Sequence, residues 1–152
     1  MRRIDQSGPK SYNRPVAARI LIVDDERDIA TLMTFVLERE GYTVASVGTG
    51  QEALAAMGVE PLNPNAVLPD LVLMDVMMPV LDGIEATKRI AAAPHARRVP
   101  IVVMTGKARE TRTALAGVPN VVGLVEKPFE PSQLREAVAK ALPPASPEAA
   151  RG

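Results

Sequence analysis

Four short stretches of the chain are apolar throughout: Ile20-Leu21-Ile22-Val23, Leu71-Val72-Leu73-Met74, Ile101-Val102-Val103-Met104 and Val121 to Val125. Runs of this length without polar alternation read as strands covered on both faces of a sheet. A further strand is expected at Thr43–Val47. Between them the period changes. From Arg27 to Glu40 the apolar residues Ile29, Leu32, Met33, Val36 and Leu37 follow the i, i+3, i+4, i+7, i+8 spacing of an amphipathic helix, and Gly41 suits its C′ terminator. A short helix is expected from Gln51 to Met57. Another begins near Gly83, where Asp82 can cap the free amides and Glu85 completes a capping-box-like pair. A polar helix follows at Ala108–Ala116. The last spans Pro131–Leu142, with proline at a favoured first-turn position. Five strands alternating with five helices predict a doubly wound α/β domain on a parallel sheet.

The remaining segments read as punctuation. Val59–Pro69 holds three prolines and two asparagines and is expected to be a surface loop. Residues 1–18 are polar, with Gly8-Pro9 and Pro15, and read as a flexible arm. Residues 143–152, with Pro143-Pro144 and Pro147, read as a disordered tail. The domain itself is expected over residues 19–142.

Composition narrows the chemistry. The 152 residues suffice for one domain with a substantial core. Eighteen basic and 18 acidic residues give zero net charge, so nothing points to a nucleic-acid or membrane surface. The basic residues near the amino terminus fit a solvated tail better than a binding arm. Cysteine is absent, which excludes disulfides and thiolate metal sites. The single histidine, His95, lies in a Pro-His-Ala-Arg-Arg stretch expected to be a solvent-exposed loop, so histidine-dependent triads are disfavoured. No apolar run approaches membrane-spanning length, and the amino terminus lacks the apolar segment of a leader. A soluble, cytoplasmic protein is expected.

The candidate chemistry lies where the apolar runs stop. Asp24 and Asp25 close the first, Asp75 the second, Thr105 the third and Lys127 the fourth. Open α/β sheets bind ligands at the carboxyl ends of their strands, so these five polar groups are expected to form one site. Neighbouring carboxylates repel, and a divalent cation relieves the conflict. A ligand set of hard oxygens without sulfur or imidazole selects Mg²⁺. A carboxylate oxygen left free could attack phosphorus and give an aspartyl phosphate. Lys127 would neutralise charge on the phosphoryl oxygens, the Thr105 hydroxyl would donate a hydrogen bond, and Gly106 leaves room for the incoming group. Each residue alone has a plainer reading. Asp24-Asp25 could cap the first helix, a role worth about 1 kcal/mol. Asp75 could be a turn aspartate, Thr105 a cap hydroxyl and Lys127 a solvated lysine. Their conjunction at successive strand ends favours the site.

The stretches Val23-Asp24-Asp25-Glu26, Leu73-Met74-Asp75-Val76-Met77-Met78-Pro79, Leu81-Asp82-Gly83, Met104-Thr105-Gly106 and Glu126-Lys127-Pro128-Phe129 together resemble the receiver domain of two-component response regulators, of the stand-alone, chemotaxis-regulator-like kind. The resemblance covers residues 18–142. It implies a flavodoxin-like strand order, 2-1-3-4-5, and a phosphoacceptor at Asp75 served by a histidine kinase or a histidine phosphotransfer protein. It implies Mg²⁺ held by Asp24 or Asp25 together with Asp75, with the backbone carbonyl of Met77 as a further ligand. Lys127 would contact the phosphoryl group, Thr105 would act as the switch, and the Lys127-Pro128 bond would be cis. Met77 and Lys107 flank the site and would tune phosphoryl lifetime. If the chain is complete, no room remains for an output domain after residue 142. Signalling would then pass through contacts with a downstream protein effector, without nucleic acid, and a phosphorylation-dependent dimer through the fourth and fifth helices stays open.

Two departures accompany the resemblance. The position three before Lys127, aromatic in the family, is Leu124, and the Val59–Pro69 loop is a few residues longer than the family's. Leu124 is the main support for an alternative, a phosphorylation-independent receiver-like interaction module. A Mg²⁺-dependent aspartyl-phosphate phosphatase is disfavoured, because the position two beyond Asp75 is Met77 rather than a carboxylate.

Overall fold

The structure, a computed structural model, describes residues 17–142. The tail, and all of the arm but its last two positions, lie outside the described residues. Five strands form one parallel sheet: β1 (Arg19–Val23), β2 (Thr43–Val47), β3 (Leu71–Asp75), β4 (Ile101–Thr105) and β5 (Val121–Glu126). Their order is β2-β1-β3-β4-β5. The helices are α1 (Arg27–Arg39), α2 (Gly50–Ala56), α3 (Gly83–Ala92), α4 (Ala108–Ala114) and α5 (Pro131–Ala141). The expected fold class and strand order are therefore both present, and the expected element limits are met within one or two residues.

The apolar runs explain the sheet. β3 and β4 are buried at every residue, as is β1 after Arg19, because each has neighbours on both edges and helices on both faces. Alternate side chains divide between two cores. Ile20, Ile22, Leu71, Leu73, Val102 and Met104 pack with Met33 and Leu37 of α1 and Leu134 and Val138 of α5. Leu21, Val23, Val72, Met74, Ile101 and Val103 pack with Leu54 of α2, Ala86 and Ile90 of α3 and Leu115 just beyond α4.

Local signals set the ends of the helices. Gly41 has φ 97° and donates its amide to the Glu38 carbonyl, terminating α1 as its sequence position predicts. Asp82 caps α3 through its Oδ1, which accepts the Glu85 amide at 2.9 Å. The expected reciprocal half of that capping box is not made. Glu85 instead accepts from Arg89 Nε at 3.0 Å, an i, i+4 ion pair along the helix. At α2, Thr49 Oγ1 accepts the Glu52 amide and Glu52 accepts the amide of Gly48, the residue before the cap. A capping box not anticipated from the sequence forms at α5, between Glu130 and Gln133.

The Val59–Pro69 loop has no regular strand or helix, as expected, but it is tied down. Arg89 reaches Glu60 at 3.1 Å. His95 corrects an expectation: it is half-buried rather than solvent-exposed, and its Nε2 lies 3.0 Å from the Met57 carbonyl. The chain between α3 and β4 folds back toward the end of α2, so a histidine in a turn acquires a backbone partner distant in sequence. Cis bonds occur at Lys127-Pro128, as the resemblance implied, and also at Glu60-Pro61.

One glycine joins fold to site. A Cβ on Gly83 would overlap the Asp75 carbonyl oxygen and lie 2.8 Å from the carbonyl carbon. The start of α3 thus rests directly on the last residue of β3. Gly83→Ala is expected to destabilise the protein by about 1–3 kcal/mol, the usual range for overpacking, seen as a lower midpoint in urea unfolding. An unchanged midpoint would show that α3 can shift away without cost.

Candidate functional site at the carboxyl edge of the sheet

The parallel sheet brings the expected residues together. Asp24 follows β1, Asp75 ends β3, Thr105 ends β4 and Lys127 follows β5. Since β1 pairs directly with β3, with Val23 opposite Met74, carboxylates at their ends are neighbours. Asp24, Asp25 and Asp75 each offer an oxygen within 4.8 Å of the others'. Asp24 and Asp75 are 3% and 2% exposed, whereas Asp25 is open to solvent. Three carboxylates on one open rim form a hard-oxygen set that suits a divalent cation. Their number and type fit magnesium better than a softer metal.

Lys127 supplies the opposing charge. Its Nζ lies 3.1 Å from Asp24 Oδ2 and 3.3 Å from Asp75 Oδ1. It also lies 3.4 Å from Glu26 Oε1, a partner that sequence reasoning did not single out. Only the Asp-Asp-Glu run hinted at Glu26, and a side chain at a helix start points wherever the turn sends it.

Asp24 also performs the plainer role open to it. Its Oδ1 accepts the Glu26 amide at 2.9 Å, closing the turn into α1, while Oδ2 takes the lysine. Asp75 is engaged on one side, among the described residues. Its Oδ1 accepts the Met77 amide at 3.3 Å and faces Lys127. Burial, and then the nearby Asp24 charge, push the Asp75 carboxyl up to about 6, although Lys127 and the Met77 amide pull the other way. For Lys127, burial acts to lower the pKa, but the hydrogen bond to Asp24 and the Asp75 and Asp24 charges outweigh it and leave the ammonium raised.

Thr105 is buried, and its Oγ1 is taken up locally. It accepts the Lys107 amide at 2.9 Å and lies 2.8 Å from Thr111 Oγ1 of α4. Thr111 was not legible as a partner, because it sits in a helix that reads as polar. The β3–α3 loop adds a second feature invisible in the sequence. Val80 has φ 69°, and the Leu81 amide bonds the Pro79 carbonyl at 2.8 Å around it, a γ-turn that a β-branched residue enters at a cost. Met77 and Val80 of this loop are 61% and 94% exposed. Leu124 is half-buried on β5 and borders a groove against α4.

Residues 20–139 match the profile of the response regulator receiver domain, and the chain belongs to that family. It is 37% identical over 120 residues to the alkaline phosphatase synthesis transcriptional regulatory protein PhoP of Bacillus subtilis, covering 79% of this chain and 46% of that one. It is 36% identical over 116 residues to the DNA-binding response regulator MtrA of Mycolicibacterium smegmatis, covering 76% and 46%. The chain thus spans about half the length of these relatives. Among solved structures, chemotaxis protein CheY4 of Vibrio cholerae superposes with TM-score 0.72 at 28% identity, covering 84% of this chain and all of that one. The receiver domain of a Pseudomonas aeruginosa sensor histidine kinase, with a magnesium ion coordinated in its active site cleft, superposes with TM-score 0.69 at 29% identity, covering 82% and 97%. Among the described residues of this chain, no helix is long and apolar enough to cross a membrane.

The buried Asp75 yields a prediction for stability without divalent cations. Its native pKa lies above the ordinary carboxylate value, so the folded state holds the proton more tightly than the unfolded chain. Stability from this group therefore falls as pH rises from about 4 through about 6, and stays lowered above that. Asp75→Asn is expected to melt above wild type at about pH 7.5 and to lose that advantage near pH 4. A difference in melting temperature that does not change with pH would rule out the raised pKa.

Proposed function

We propose that the chain is a Mg²⁺-dependent phosphoacceptor, with Asp75 as the phosphorylated residue, acting as the receiving half of a two-component signalling pair. The observation that carries this reading is the carboxylate cluster itself, in which Asp24 and Asp75 are buried and Asp25 is open to solvent. Asp75 is held beside two further carboxylates, and a lysine ammonium lies 3.3 Å from its Oδ1. A purely structural aspartate would gain nothing from two like charges close by. A nucleophile that must take on a multiply charged phosphoryl group needs both a cation platform and a counter-charge.

Asp24, Asp25, Asp75 and the Met77 carbonyl would hold the metal. Bound there, it would neutralise phosphoryl oxygen charge that three carboxylates would otherwise repel. Oδ1 of Asp75 is occupied by the Met77 amide and Lys127, which leaves Oδ2 as the attacking oxygen. The new bond joins that oxygen to phosphorus. The bond broken is the one from phosphorus to the donor, a phosphohistidine of a histidine kinase or phosphotransfer protein. Lys127 steadies the equatorial oxygens, and the Thr105 hydroxyl donates to one of them once the group is in place. Output through a downstream protein effector, with the domain acting alone, is the simplest extension. The relatives named as DNA-binding or transcriptional regulators make attachment to such a module the other arrangement to test.

Incubation with Mg²⁺ and acetyl phosphate is expected to add one base-labile phosphoryl group, with acetate leaving. Intact-mass measurement should show it on wild type but not on Asp75→Ala, nor on wild type with EDTA. An unmodified wild-type mass would overturn the phosphoacceptor reading and leave a receiver-like interaction module in its place.

A further inference from the structure

Thr105 and Thr111 are 1% and 2% exposed, and their hydroxyl oxygens are 2.8 Å apart. Two buried hydroxyls in contact do not rotate freely, because an unmade hydrogen bond has no water to replace it. A threonine hydroxyl has one hydrogen and two acceptor lone pairs. The Lys107 amide already occupies one acceptor position of Thr105, at 2.9 Å. When Thr111 donates into the second, the hydrogen of Thr105 is the only bonding capacity left to it. Thr105 closes β4 one residue beyond Met104, the register partner of Asp75, so that hydrogen is available to an oxygen held on Asp75.

We propose that Thr111 is a positioning residue for phosphoryl capture. By donating to Thr105 Oγ1, it fixes the Thr105 rotor with its own hydrogen directed out of the pair and toward the phosphoryl oxygen. The inference rests on the phosphoacceptor reading and deepens it. Thr111 touches neither Asp75 nor the incoming group and acts only through Thr105. Donation from Thr111 also polarises the Thr105 O–H and makes it a better donor, as in any hydrogen-bond chain shielded from water.

The surroundings fit this role. Thr111 is the only buried residue within α4. It also lines a groove of about 390 Å³ between α4 and β5, together with Val103, Leu115, Val121 and Leu124. Burial alone does not require such a bond, since Thr87 of α3 is equally buried and its hydroxyl has no partner among the described residues. The bond to Thr105 is what sets Thr111 apart.

The test compares initial rates of acetyl phosphate-driven phosphorylation, with Mg²⁺, for wild type, Thr111→Val, Thr111→Ser, Thr105→Ala and the Thr105→Ala/Thr111→Val double variant. Valine keeps the shape and removes the hydroxyl, and is expected to slow uptake about fivefold, the loss of one ordinary hydrogen bond. Serine is expected to stay close to wild type. In the Thr105→Ala background the valine change is expected to have no further effect, because its partner is gone. Thr111→Ala, which favours the helix, repeats the test if valine disturbs packing. A wild-type rate in the hydroxyl-free variants would overturn the proposal, as would a serine variant as slow as valine or a valine effect that persists without Thr105. If wild type itself takes up no phosphoryl group, the phosphoacceptor reading fails, and this inference fails with it.

Discussion

Like-charge repulsion at one edge of the sheet is the constraint that the site is built around. The strand order places β1 beside β3, and adjacent strands are about 4.8 Å apart, so aspartates at both carboxyl ends are forced together. Unit charges about 4 Å apart interact by on the order of 4 kcal/mol at the effective dielectric of a protein surface, so carboxylates held this close repel strongly. Lys127 offsets part of this repulsion. Its strand, β5, lies beyond β4, and its long side chain extends back across Thr105 to reach Asp24 and Asp75 together. Burial first, and the Asp24 charge after it, still hold the Asp75 carboxyl above the ordinary carboxylate value despite the lysine. The residual negative charge is what suits the site to a cation.

The rest of the fold holds this strained cluster still. β1, β3 and β4 are buried on both faces, so their ends cannot drift, and both cores draw on alternating residues of the same strands. Gly83 lets α3 seat directly on the Asp75 backbone, and Asp82 caps the helix there. Between Asp75 and Asp82 the chain turns through Val80 in a conformation that valine normally avoids. Backbone strain of this kind persists where flanking structure over-determines it, here a buried strand on one side and a capped helix on the other.

Much of this was legible in the sequence, and the exceptions share a physical cause. Uninterrupted apolar runs identified β1, β3, β4 and β5, and the polar residue ending each located Asp24, Asp75, Thr105 and Lys127, because strand direction and side-chain position are local properties. Capping signals at Gly41 and Asp82 were legible for the same reason. Glu26, Thr111, His95 and Val80 were not. The Glu26 contact with Lys127 spans 101 positions, and that of His95 with Met57 spans 38. Thr111 looks like any polar residue of a short helix until β4 is placed beneath it. Val80 adopts its φ only because elements on either side leave the loop no easier path.

That difference bears on how the site communicates with the rest of the domain. α1 and α5 bury four and two residues on one face of the sheet, and α3 buries four on the other, whereas α4 buries Thr111 alone. Elements with few buried contacts open at lower free energy than the core, so α4 is the helix least held to the sheet. Its one interior side chain is bonded to Thr105, at the rim of the carboxylate cluster. Leu124, where the family carries a ring, leaves a groove beside that helix rather than filling it. Under the proposed phosphoacceptor function, a change at the Thr105 hydroxyl would reach this helix through its hydrogen bond to Thr111 rather than through an aromatic ring.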